Sequence, residues 1–187
     1  MAGMTPADVE TVGTQLPLAL RAPPDQRFDR FVAPPPGLLD QLRALALGRG
    51  GDPVLVCGPH SSGKTHLLLA ACAEAEAAGR RMAYLSLRGL RGRVGEALQG
   101  VEAELVALDD LDAVAGERAD EIALFDRHNA QRDAGRGILY AASEAPEALS
   151  LALPDLRSRL AQCARWQLPP LDDAGRAQML RLRAAAR

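Results

Sequence analysis

Short apolar runs alternate along this chain with longer stretches whose apolar residues return every three or four positions. The runs are "PVLVCG", "MAYLSL", "ELVALDD", "GILYAAS" and "ARWQLPP", all of strand length. Between them, "LLDQLRALAL" has helical spacing and ends at Gly48, and "KTHLLLAACAEAEAAG" is a helix closed by Gly79. "ERADEIALFDRHNAQRDAG" reads as a long amphipathic helix with Ile122, Ala123, Leu124 and Phe125 as apolar positions and a glycine stop. "LPDLRSRLAQ" opens on Pro154 and Asp155, residues suited to the first turn of a helix. A weaker helix is expected around residues 91–99, and "DDAGRAQMLRLRAAAR" is helical in pattern. Strands alternating with helices predict βα units and a parallel sheet covered on both faces. With no repeat at a period of 20–50 residues, the expected fold is one α/β domain with an N-terminal extension.

The extension has its own pattern. Residues 1–14 are small and polar and read as a flexible tail. "TQLPLAL" (14–20) is apolar and contains a proline, too short for a helix and poorly suited to a central strand. "APPDQRFDRFVAPPPG" (22–37) cannot form a long regular element, because its prolines remove donors and restrict the residues before them. It predicts an extended connector with Phe28 and Phe31 pinned to a surface.

Composition narrows the class. Apolar residues make up 48% of the 187 and aromatic ones 3%, so the core is built from Ala, Leu and Val, which favours helices on a sheet over a β-sandwich. The net charge of −2 gives no global attraction to nucleic acid. Cys57, Cys72 and Cys163 lie far apart, without CxxC or histidine at ligand spacing, and read as small buried residues in a reducing compartment. No apolar run reaches the roughly 18 residues of a membrane span and no signal-peptide pattern opens the chain. The expected location is the cytoplasm.

One motif carries chemistry. "GPHSSGKT" (58–65) matches G-x-x-x-x-G-K-[ST], directly after an apolar run and at the opening of a helix. Gly58 and Gly63 let the backbone wrap closely, so that N–H groups converge on a phosphate, and the helix N-terminus adds its partial positive charge. Lys64 supplies a cation for the β- and γ-phosphates, and the Thr65 hydroxyl is a ligand for Mg2+. The candidate nucleotide-binding residues are Gly58, Pro59, His60, Ser61, Ser62, Gly63, Lys64, Thr65 and His66. "ELVALDD" ends in Asp109, the second candidate for Mg2+, and Asp110, placed to orient an attacking water.

The order of these motifs resembles the family of the bacterial replication initiator DnaA among the AAA+ ATPases. The resemblance rests on "GPHSSGKTHLL", "LVALDDLDAVAGE", "ALFDRHNAQRDAG" and "ILYAASEAPEALSLALPDLRSRL" and covers about residues 25–187. It implies an AAA+ P-loop core with a parallel five-stranded sheet between helices over 25–170, bound ADP or ATP with Mg2+, a polar sensor residue at Ser143 and an arginine finger at Arg159, with Arg157 as the second candidate. It also implies a helical lid, of which 171–187 would be only the start; Arg176, Arg181 and Arg183 lie there, and the role of the second sensor arginine is assigned to none of them. Within this family "QLPLAL" resembles the peptide by which bacterial proteins dock on the DNA polymerase sliding clamp, with Gln15 at a pocket rim and Leu16, Leu18 and Leu20 as anchors. The tail, 1–24, would then be a hook; the competing reading is a strand that covers the chain's own domain. The implied function is regulation of replication initiation. The partners are the clamp, DnaA and a second copy of this chain, with DNA reached only through the clamp and no membrane partner. The alternatives are a helicase-loader-like ATPase that hydrolyses ATP itself, a lidless binding module and, furthest from the motifs, a small-molecule kinase. One Trp and two Tyr offer little stacking surface for single strands.

Overall fold

The computed structural model describes residues 26–50, 52–170, 175, 177 and 181. Five strands form one parallel sheet: β1 (Val54–Cys57), β2 (Met82–Ser86), β3 (Leu105–Asp109), β4 (Gly137–Ala142) and β5 (Ala164–Gln167), in the order β2-β3-β4-β1-β5. Within residues 26–170, five helices accompany them: α1 (Leu38–Ala46), α2 (Lys64–Ala77), α3 (Val94–Leu98), α4 (Arg118–Asp133) and α5 (Pro154–Ala161). Every strand and helix expected between residues 38 and 167 forms, and the connector adds one 3-10 turn at Phe28–Arg30. Two further 3-10 turns, Leu87–Leu90 and Leu111–Val114, follow β2 and β3.

Alternation along the strands divides the interior in two. Leu55, Cys57, Val106, Leu108, Ile138, Tyr140 and Ala142 face a core completed by α3, α4 and α5. Val54, Val56, Leu105, Ala107, Leu139 and Ala141 face a second core, against α1, α2 and the connector. β1, β3 and β4 are buried throughout, and the apolar runs needed no polar alternation for this reason. The three cysteines are buried thiols, as expected; burial pushes Cys57 up to about 11 and Cys72 and Cys163 up to about 12.

Phe28 is buried in the second core with the Arg43 guanidinium 5.5 Å above its ring. Phe31 packs at the start of α2, edge-on to His66 at 5.7 Å. The connector is therefore pinned at both phenylalanines. Of residues 171–187, Gly175, Ala177 and Arg181 are described and are helical.

α4 departs from its sequence pattern. Ile122, expected on the apolar face, is 42% exposed, because acidic side chains take the buried positions of its first turn. Asp120 accepts the N–H groups of Gly92 (2.6 Å) and Val94 (3.0 Å), which closes the N-terminus of α3. Glu121, with no exposed surface, accepts from Gly116 (2.7 Å), Ala152 (3.0 Å) and Leu153 (2.6 Å) and so ties the approach of α5 to the end of the β3–α4 loop. Each such bond to a carboxylate contributes about 1.5–3 kcal/mol.

Further along α4, His128 is 2% exposed and its Nδ1 pairs with the Tyr140 hydroxyl at 3.1 Å. Burial, with Arg159 and Arg132 nearby, pushes His128 down to about 4. The unfolded chain, with a histidine pKa near 6.5, binds this proton first as pH falls. Stability is thus complete above about pH 6.5 and declines as pH drops toward 4, by on the order of 3 kcal/mol. Urea unfolding at pH 7 and pH 4.5 checks this; His128→Gln, which keeps a polar partner for Tyr140, flattens the dependence across that window.

Candidate functional site

The phosphate loop leaves the C-terminal end of β1 and runs into α2. Gly58 donates its N–H to Ala142 of β4 at 3.2 Å, and a Cβ on Gly58 would lie 2.8 Å from both the Leu168 carbonyl and Ser62 Oγ. Ser61 and Gly63 have positive φ (63° and 97°) while Ser62 between them does not. This alternation of handedness is the kind found in backbone nests that bind anions, although the Ser62 N–H itself is turned onto the Pro59 carbonyl at 3.3 Å. Ser62 Oγ is buried without a partner, an unmet polar atom in that loop. Lys64 Nζ is folded onto the loop, donating to the carbonyls of Gly58 (2.7 Å) and Pro59 (2.9 Å). Pro59, His60, Ser61 and Thr65 are exposed. A glycine-bearing loop at a helix N-terminus, a buried hydroxyl without a partner among the described residues and an ammonium fit a phosphate chain.

His66 is used differently: its Nε2 meets the Arg27 carbonyl at 2.8 Å, and Phe31 lies against it. A Cβ on Gly63 would come within 2.6 Å of the Phe31 ring. Gly63 thus serves two needs, a left-handed backbone and room for the connector's aromatic ring.

The two acids meet different groups. Asp109, at the end of β3 and 2% exposed, accepts the Thr65 hydroxyl (2.6 Å) and the Tyr84 hydroxyl (2.9 Å) on Oδ2, and the Asp110 N–H (2.9 Å) on Oδ1. A hydroxyl and a carboxylate in contact supply the hard oxygen donors that Mg2+ takes. Asp110 has φ 57°, a left-handed conformation uncommon outside glycine. Its carboxylate accepts from Ser86 Oγ at 3.2 Å and pairs with Arg88 at 3.2 Å; the pairing raises the Arg88 pKa further. Tyr84, Ser86 and Arg88 had no signal in the sequence: they reach the acids only through the register that sets Ser86 beside Asp109. Burial, then the Asp109 charge, raise the Tyr84 hydroxyl well above its ordinary range.

The remaining candidates lie apart from this cluster. Ser143, one residue past β4, is exposed and donates through both N–H (2.7 Å) and hydroxyl (2.6 Å) to Asp112 Oδ1. Arg159, on α5, lies over the Phe125 ring of α4 at 5.9 Å, a cation–π contact. Among the described residues its side chain forms no ion pair with Asp155 or with the phosphate loop. Arg157 instead donates to the Leu151 carbonyl at 2.6 Å, with its Nε buried, which makes it part of the loop's packing. Gln15, Leu16, Leu18 and Leu20 lie outside the described residues, as do Arg176 and Arg183.

Solved structures share this architecture. Domain III of the replication initiation protein DnaA from Thermotoga maritima aligns with a TM-score of 0.74 at 22% identity, over 86% of this chain and 74% of that one. AMPPCP-bound DnaA from Aquifex aeolicus aligns with a TM-score of 0.71 at 23% identity, over 88% and 56%. DnaI aligns with a TM-score of 0.61 at 14% identity, over 76% and 89%. No protein-family model matches the chain. The fold is that of an AAA+ P-loop NTPase core. The chain spans about half the length of the Aquifex DnaA structure.

The Lys64 contacts are confined to two loop carbonyls, so Lys64→Ala is expected to weaken ADP binding by about 10- to 100-fold, the worth of a charge-assisted contact, with little change in melting temperature. Calorimetric titration with ADP and a thermal melt check both halves.

Proposed function

We propose that this chain is a nucleotide-binding regulator of replication initiation, similar to Hda, the regulatory inactivator of DnaA, which the combination of a DnaA-like core with the QLPLAL tail resembles. The observation that carries the reading is the Thr65–Asp109 contact of 2.6 Å beside a phosphate cradle, in a fold shared with DnaA. The Gly58–Thr65 loop binds the phosphates of ADP or ATP, and Thr65 and Asp109 hold Mg2+, which neutralises phosphate charge when bound.

The chain's own turnover is weak in this proposal. Asp110, the candidate for orienting water, is engaged by Ser86 and Arg88. Arg159, resting on Phe125 with no carboxylate partner among the described residues, extends toward a neighbouring subunit. There its guanidinium stabilises the charge that develops when DnaA hydrolyses ATP; a finger of this kind contributes on the order of 10³–10⁵ in rate. Ser143 acts as the polar sensor beside Asp112. Gln15, Leu16, Leu18 and Leu20 dock on the sliding clamp, an extended peptide in an apolar groove, and the clamp brings the chain to DNA. The location in this reading is the cytoplasm; among the described residues no helix is long and apolar enough to cross a membrane.

The first experiment measures binding of the full chain to the sliding clamp, beside a Gln15→Ala, Leu18→Ala, Leu20→Ala variant. Micromolar binding that the variant loses is the expected result, and no binding by the unaltered chain refutes the tether. ATP hydrolysis by DnaA on the loaded clamp then rises with the chain and falls at least about 10³-fold with Arg159→Ala. Hydrolysis by this chain alone, stimulated by single-stranded DNA, would instead favour a helicase-loader-like ATPase that remodels a DNA–protein complex.

A further inference from the structure

Strand β2 lies at the edge of the sheet, and one of its side chains reaches the centre of the site. The Tyr84 hydroxyl donates to Asp109 Oδ2 at 2.9 Å, on the same oxygen that accepts the Thr65 hydroxyl at 2.6 Å. Asp109 Oδ1 accepts the Asp110 N–H. A carboxylate offers about four lone-pair positions; three are filled by protons from α2, β2 and the backbone, so the group cannot turn. The Thr65 proton is directed at Asp109 in the same arrangement, which leaves the Thr65 oxygen with only lone pairs to offer outward. Tyr84 belongs to the partly buried side chains of the second core, where its ring is held by packing and its hydroxyl is aimed by it.

We propose that Tyr84 is a positioning residue for the divalent cation: it fixes Asp109 so that the remaining Oδ1 lone pair and the Thr65 oxygen face a hydrated Mg2+ together. The inference rests on the reading of the site as a Mg2+–nucleotide site and is independent of the clamp and of DnaA. Tyr84 touches neither cation nor phosphate. Its effect is on the cation's affinity, with the nucleotide held separately by the loop amides and Lys64. Partners of this kind, which orient a metal's ligands, typically change metal affinity by about 10- to 100-fold when removed.

The test uses the full chain. ADP binding is measured by calorimetry in excess EDTA and at saturating Mg2+, and Mg2+ is then titrated into the ADP-bound protein. Tyr84→Phe, which keeps the ring, is expected to leave ADP affinity in EDTA within about twofold and to raise the Mg2+ midpoint about tenfold. Thr65→Ala, which removes a ligand itself, abolishes the Mg2+ effect and sets the scale; melting temperatures of the nucleotide-free proteins report folding. An unchanged Mg2+ midpoint in Tyr84→Phe overturns the proposal. So does a fall in ADP affinity by the same factor with and without Mg2+, the mark of a strut for the whole site. ADP binding by the unaltered chain without any Mg2+ effect overturns the cation site, and Tyr84's role with it, while leaving the phosphate loop standing. Failure of ADP to bind at all removes the nucleotide reading first.

Discussion

One carboxylate joins the working parts of this molecule. Asp109 sits at the end of β3 and draws together the first turn of α2, the edge strand β2 and the peptide that follows it. A buried carboxylate is costly unless its lone pairs are satisfied, so its three donors are a condition of the fold as much as of any chemistry. The parallel register makes this possible: with Ser86 opposite Asp109, Tyr84 stands two residues earlier on the neighbouring strand, within reach of the same oxygen. Exposed loops can vary around such a point, because the distances are set by the sheet.

Glu121 plays the corresponding part on the other face. Its three backbone donors come from two loops that have no strand to hold them, and the second of these leads into α5. Through it, a helix that begins only at Pro154 takes its place against α4, where Arg159 meets Phe125. Asp120 does the same for α3. Acidic residues in the first turn of a helix are ordinarily read as complements to its dipole; here two of them serve other segments of chain.

The layout of strands and helices was legible because the apolar runs are short and the stretches between them keep a helical period closed by Gly48, Gly79 and Gly135. The phosphate loop was legible as a motif because its residues are local: glycines, lysine and threonine lie within eight residues, whereas the contact of Thr65 with Asp109 comes from the fold. What escaped was long-range. Tyr84 looks like a strand residue, His128 like a surface polar position of α4, and Ile122 like part of its apolar stripe. Their roles depend on which segment lies beside them, and that follows from register and packing between residues far apart in the chain. The likeness of fold to DnaA supports the expected α/β architecture; the placing of the acids, Ser143 and Arg159 is read from their own surroundings.

The seat of Phe31 has a mechanical consequence. Its ring fills the space that a side chain on Gly63 would need, and the carbonyl of Arg27 is fastened to His66 in the first turn of α2. The connector is thereby clipped to the junction of the phosphate loop and α2. A pull on this connector would be shared between the Phe28 seat against α1 and the first turn of α2, and any shift of the Phe31 ring would be felt at once by the backbone of Gly63.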